Sequence, residues 1–298
     1  MSAPSSPAHR AGHVAIVGRP NVGKSTLVNA LVGQKLSITS RKPQTTRHRI
    51  SAILTEPGRQ FVFVDTPGFQ TLHRSRLNDR LNRTVRDSLA DVDVVVWVVD
   101  AAKLTAADRA VVALVPAAAQ VIAAVNKVDT IKDKNALLPR LAEIAALREF
   151  AAVVPVSAER GTQLDQLKDE IARRLPEGPP MFGDDELTDR DERFIAAEFV
   201  REKIFRLVGE EIPYSTTVII DKFEQEGALR RIFASVLVEK ASQRAILLGE
   251  RGERMKAISM QARADLERLF GGPVYLEVWV RVKKGWADDD AALSRLGY

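Results

Sequence analysis

From His13 to Leu175 short apolar runs alternate with stretches whose apolar positions recur every three or four residues. The runs are HVAIVG, ISAIL, FVFVD, VDVVVWVVD, VIAAVNKVD and AVVPVSA. Near-continuous Val, Ile and Ala segments suit strands buried on both faces. The spacing predicts helices over Leu77 to Leu89, Leu137 to Leu147 and Leu164 to Leu175. Strand and helix in alternation specify an α/β fold, a doubly wound, mainly parallel sheet, over residues 13–175. The pattern breaks at LPEGPPMFGDDEL. There Pro176, Pro179 and Pro180 interrupt any helix, and Gly178 and Gly183 loosen the backbone, so residues 176–187 read as a linker. Beyond it Phe194, Ala197, Val200, Ile204 and Leu207 recur at helical spacing. TTVIIDKF and IFASVLVEK read as strands, followed by the short apolar AILLG. A helix from about Glu253 to Phe270 and the strand VYLEVWVRV complete a smaller α+β domain over residues 188–298.

Composition changes this picture little. A chain of 298 residues exceeds one ordinary core, which agrees with two domains. The net charge of +5 leans only slightly towards polyanionic partners. The absence of cysteine excludes a disulfide framework, cysteine-ligated zinc and a thiol nucleophile. Residues 1–12 are polar, rich in Ser, Pro and Ala, and lack the apolar core of a secretion signal, so they read as a disordered tail. No apolar run reaches the ~18 residues that span a bilayer. The chain is expected in the cytoplasm, at most peripheral on a membrane.

The chemistry sits where the predicted strands end. Gly18, Arg19, Pro20, Asn21, Val22, Gly23, Lys24 and Ser25 follow the first strand and open a helix at Thr26. This is the GxxxxGKS phosphate loop in its strand–loop–helix setting. Its glycines let backbone N–H groups, with the helix N-terminus, approach phosphate oxygens. Lys24 supplies a point charge to the β- and γ-phosphates, and Ser25 offers a hydroxyl to Mg²⁺. Asp65, Thr66, Pro67 and Gly68 end the strand FVFV, so that Asp65 can hold Mg²⁺ through a water and the Gly68 N–H can reach the γ-phosphate. Asn126, Lys127, Val128 and Asp129 end the strand VIAAV. Asp129 accepts from N1–H and the exocyclic amine of guanine, an arrangement adenine cannot offer. Asn126 braces the loop and approaches N7, and the Lys127 stem covers the base. Ser157 and Ala158 end the last strand, where the Ala158 N–H would meet guanine O6. Four motifs in this order indicate a guanine-nucleotide-binding GTPase.

Between the first two motifs lies SITSRKPQTTR, a polar segment without apolar period that reads as a mobile loop. GTPases need a Thr there to coordinate Mg²⁺ and sense the γ-phosphate; Thr46 is the first choice and Thr45 the fallback. Lys24, Thr46 and Gly68 are the groups expected at the reacting phosphate. Phe69 stands where Ras-like enzymes carry the Gln that orients water. Hydrolysis is therefore expected to be slow unaided and to use another group, a cation or a partner. Asn21 resembles the Asn that helps bind potassium in some GTPases with this hydrophobic replacement, and is otherwise an ordinary loop residue.

In the second domain, Gly249, Glu250, Arg251 and Gly252 form a GxxG between two helices, preceded by strands and followed by another. That is the element order of a type II KH domain, which clamps about four single-stranded nucleotides with the GxxG backbone against phosphates. Arg251, Arg254 and Lys256 add charge beside the turn; Glu250 is acidic where such loops usually carry Lys. RNA binding is expected to belong to this domain alone, even in a fragment beginning near Leu187.

GRPNVGKST, SITSRKPQTTRHR, DTPG, NKVD and a KH domain ending VKKGWADD resemble the Era family of bacterial ribosome-assembly GTPases over about residues 13–298. The resemblance implies GTP and GDP with Mg²⁺, and 16S rRNA, bound at its 3′ end during maturation of the 30S subunit. It also implies peripheral membrane association; no obligate protein partner is evident. The reading from another class is an RNA-binding chaperone that uses GTP as an occupancy signal with negligible turnover. Ser25, Asp65 and a loop Thr favour the enzyme, since a pure binder need not place Mg²⁺ against the γ-phosphate.

Overall fold

The computed structural model describes residues 9–40, 42, 45–68, 83, 87, 89, 91–209 and 212–285. The chain forms two units, one of residues 1–37 and 46–189, the other of residues 38–45 and 190–298.

The first unit is built on six strands: β1 Arg10–Val17, β2 Ile50–Glu56, β3 Arg59–Asp65, β4 Val94–Asp100, β5 Val121–Asn126 and β6 Ala152–Pro155. They lie in the order β2-β3-β1-β4-β5-β6. All neighbours are parallel except β2, which returns along β3 as an antiparallel hairpin. The strands bury Val, Ile, Phe and Ala on both faces, as a helix-covered sheet requires. Helices α1 Lys24–Val32, α2 Ala106–Leu114, α3 Leu137–Ala145 and α4 Leu164–Ala172 accompany them. Register decides what this sheet presents at its end. Ile16 pairs with Asp65 and Asp100 with Asn126, so the phosphate loop, the DTPG turn and the NKVD turn leave the sheet at one edge.

The first unit departs from the sequence reading at three places. Residues 10–12, expected as tail, are the first turn of pairing in β1, with Arg10 opposite Arg59. The linker is a strap on the first unit. His9 and Gly178 exchange contacts at 3.0 and 2.9 Å, and Arg10 bridges to Glu177. The buried Gln60 amide accepts from the Met181 and Phe182 N–H groups at 2.7 and 3.0 Å and donates to the Phe182 carbonyl at 2.9 Å. Leu187 and Thr188 then meet β2, and Asp189 accepts from Ser51. A proline-rich segment cannot continue a helix, and here its polar backbone is satisfied by an exposed strand edge and one buried amide. The helix expected over residues 77–89 lies outside the described residues except at 83, 87 and 89, which are helical.

In the second unit α5 Glu192–Leu207, α6 Ala241–Leu248 and α7 Glu253–Phe270 accompany a sheet of β7 Thr216–Glu226, β8 Leu229–Val238 and β9 Val274–Val282. The antiparallel β7–β8 hairpin and the parallel β8–β9 pair complete the order α-β-β-α-α-β. AILLG, read as a short apolar segment, is the end of α6. One core cluster joins Ile195, Phe199, Ile232, Leu266 and Val274 to Ile38, which is wholly buried there. The segment expected as a mobile loop is pinned to α5 by polar contacts as well. Glu202 accepts from the Thr39 N–H at 2.9 Å, Arg206 donates to the Thr39 carbonyl at 2.9 Å, and Arg201 donates to the Thr45 carbonyl at 2.5 Å. Lys42 donates to the Val208 carbonyl. A fragment beginning near Leu187 would therefore lack Ile38, one side chain of this core.

Candidate nucleotide site and nucleic-acid interface

The phosphate loop holds two residues in the left-handed region, Asn21 at φ 66° and Gly23 at φ 98°, before α1 opens at Lys24. A Cβ on Gly23 would come within 2.4 Å of Asn126 Nδ2, so glycine is needed both for the angle and for the approach. Asn126 uses that closeness: its Nδ2 donates to the Val22 carbonyl at 2.9 Å, and its Oδ1 accepts from the Ala158 N–H at 3.0 Å. One buried amide thus ties the phosphate loop to both the NKVD turn and the Ser157–Ala158 turn. The Ala158 N–H, expected towards the base, is engaged by Asn126 in this structure.

Lys24 is 7% exposed and donates to the Gly18 and Arg19 carbonyls at 3.0 and 3.1 Å. Burial pulls its ammonium down to about 8, against the attraction of Asp65 and with a smaller push from Arg19. Two neutral carbonyls are modest partners for a buried cation, and anionic phosphate oxygens in their place would add the attraction of an opposite charge. Ser25 Oγ and Thr46 Oγ1 are 2.9 Å apart, while Thr45 is turned to Ser40 and the Lys42 carbonyl. Asp65 is wholly buried, and among the described residues neither of its oxygens has a hydrogen-bond partner. Burial raises its carboxyl above the ordinary value, with Lys24 and then the neighbouring Ser25, Ser37 and Thr46 hydroxyls opposing. Two adjacent hydroxyls and an unsatisfied buried carboxylate are hard oxygen donors, and they fit Mg²⁺ that takes its remaining ligands from water and phosphate. Thr66 braces this strand end by donating to the Ile16 carbonyl at 2.8 Å, and Gly68 lies against Pro20. Phe69 lies outside the described residues. Replacing Ser25 with Ala is expected to weaken GTP binding in Mg²⁺ by about tenfold or more and to change metal-free binding much less. Nucleotide titrations with and without chelator check this; equal losses would take Ser25 off the metal.

Lys127, at φ 66°, sends its ammonium to the Asn21 carbonyl at 2.7 Å and to Asp100 at 2.9 Å, which lays its stem across the mouth between the two loops. Asp129 is half-buried in the following turn and accepts from Ser157 Oγ at 2.5 Å. Asp100 belongs to none of the four nucleotide motifs read from the sequence. Its signal was there: a carboxylate in the last position of a buried strand, at the edge where the motifs gather.

In the second unit, the GxxG turn joins α6 to α7. Gly249 has φ 71°, and a Cβ there would sit 2.8 Å from Arg254 Cβ; Arg251 follows at φ 49° and Gly252 at φ 82°. Three left-handed residues in four turn the chain sharply and leave the Glu250 and Arg251 side chains in solvent. Arg254 and Lys256 are exposed on the first turn of α7, with Arg254 reaching back to the Ile246 carbonyl. Arg251, Arg254 and Lys256 exceed the exposed Glu250 and Glu253 by one charge, and a turn with accessible backbone beside them can receive a phosphate chain.

Residues 13–127 match a family model described as 50S ribosome-binding GTPase, and residues 211–287 match a KH domain model. The chain is 57% identical over 294 residues to GTPase Era of Bordetella avium and 54% identical to that of Nitrosomonas eutropha, covering 99% of each chain in both comparisons. It also resembles a crystal structure of Era in complex with MgGDPNP and nucleotides 1506–1542 of 16S ribosomal RNA. There the identity is 37%, the TM-score 0.93, and the coverage 97% of this chain and 99% of that one. An Aquifex aeolicus Era variant bound to GDP and aluminium fluoride gives a TM-score of 0.92 at the same identity and coverage.

Proposed function

The chain belongs to the Era family of GTPases, and on that premise we propose that it hydrolyses GTP at the phosphate-loop edge and binds the 3′ end of 16S rRNA through the GxxG turn. The observation that carries both halves is one chain with a guanine-type nucleotide edge and a KH turn, alike over its length to an Era structure holding MgGDPNP and a 16S rRNA segment. In this reading the phosphate-loop N–H groups and Lys24 hold the β- and γ-phosphates, and Gly68 offers its N–H to the γ-phosphate. Ser25 and Thr46 would hold Mg²⁺ directly and Asp65 through water, where the ion would supply neutralisation of phosphate charge. Asp129, Lys127, Asn126 and the turn at Ser157 and Ala158 recognise guanine.

The reading extends to assembly of the 30S subunit, to a potassium ion at Asn21 and to a cytoplasmic protein with peripheral membrane contact; family resemblance supports these. No helix among the described residues is long and apolar enough to cross a membrane. Turnover of labelled GTP by the whole protein, with and without an RNA fragment of the 16S 3′ end, is the test. Hydrolysis that RNA stimulates is expected. Binding of both ligands without multiple turnover would favour the occupancy-signal reading instead.

A further inference from the structure

We propose that Asp108, on α2, is a positioning residue for the phosphate loop and acts through the side chain of Arg19. The inference rests on the nucleotide reading above. Asp108 is wholly buried, and its Oδ2 accepts from Arg19 Nε at 3.0 Å. A buried carboxylate is costly unless a cation and hydrogen bonds compensate it, so the cation it recruits is held firmly. Arg19 comes from the second position of the phosphate loop, and its Nη1 also donates to the Pro20 carbonyl at 3.3 Å. The same residue presents its own carbonyl to Lys24.

Side chain and carbonyl leave one backbone in different directions. Fixing the guanidinium on Asp108 therefore fixes the peptide that holds Lys24 and sets the N–H groups of the loop. Pre-organised donors lower the cost of binding, and geometry lost here is lost for every phosphate contact together. Asp108 has a second duty in a capping box: its Oδ2 accepts from Thr105 N–H at 2.8 Å and Oγ1 at 2.6 Å, while Thr105 Oγ1 accepts from the Asp108 N–H at 3.3 Å. That duty is local to the start of α2 and can be removed separately.

The experiment measures GTP and GDP dissociation constants, kcat and thermal midpoint in the whole protein. Asp108→Asn keeps the size of the side chain and removes its charge. It is expected to weaken GTP and GDP alike, by about tenfold, and to lower kcat at saturating GTP as well, because the Lys24 it helps to place also serves the reacting phosphate. Thr105→Ala, which removes the hydroxyl half of the cap and leaves the ion pair, is expected to lower the midpoint while leaving both dissociation constants within about twofold. The double variant Arg19→Met with Asp108→Asn should bind no more weakly than Asp108→Asn, because the two residues act as one unit. Wild-type affinity in Asp108→Asn would overturn the inference. So would an equal loss in Thr105→Ala, which would assign the effect to helix capping, or additive losses in the double variant. If the wild-type protein, titrated in parallel, bound no guanine nucleotide, the nucleotide reading itself would fail.

Discussion

Replacing Asp129 with Asn is expected to reverse the base preference of the nucleotide site, lowering GTP affinity on the order of a thousandfold and raising that for XTP. Guanine offers two donors, N1–H and the exocyclic amine, to the two oxygens of a carboxylate. Asparagine offers one oxygen and one NH₂, so one of the two contacts becomes donor against donor. Xanthine carries a carbonyl in place of the amine and restores the match. The turn should survive, since Asp129 is half-buried and its neighbour Ser157 Oγ can still donate to the amide oxygen. Competition of GTP and XTP against a fluorescent guanine nucleotide would read the change. Unaltered affinities for both would remove Asp129 from the base site.

The second large effect concerns RNA. Changing Glu250 and Arg251 together to Asp leaves both glycines of the turn in place, keeps the carboxylate at 250 and puts a second in place of the Arg251 guanidinium, where the phosphate chain is proposed to lie. Asp is among the residues that tolerate the left-handed angle Arg251 adopts. Both positions are exposed, where substitutions usually cost within about 0.5 kcal/mol. Affinity for a single-stranded 16S 3′-end fragment should fall at least roughly tenfold, and its salt slope should flatten by about one unit, while GTP affinity stays near wild type. Filter binding over a salt series checks both quantities. Normal RNA binding by this variant would move the RNA surface away from the turn.

Much of the fold was legible because buried strands announce themselves. VVVWVV and VIAAV admit few other roles, and register then carried four separated motifs to one sheet edge. What stayed hidden depended on contacts through space. Ala11 and Gly12 carry no apolar pattern, yet pairing with β3 makes them strand. AILL is too short to distinguish a helix from a turn until α7 packs beside it. Gln60 reads as a polar residue in a strand, and only the strap at Met181 and Phe182 reveals its use. In the nucleotide site the motif residues were readable by spacing, and the structure sets Thr46 rather than Thr45 beside Ser25. Asp108 was not readable, because its partner Arg19 lies far along the chain in the phosphate loop.

Ile38 has a consequence for how the protein comes into being. Residues 38–45 leave the ribosome about 150 residues before α5, β8 and α7, whose side chains close around Ile38. Domains commonly fold in order as the chain emerges. Here the early part cannot place this segment, and the late part cannot close its core without reaching back for it. Ile38 lacks its core partners until α7 has been made, and in that interval aggregation and chaperone capture compete with folding.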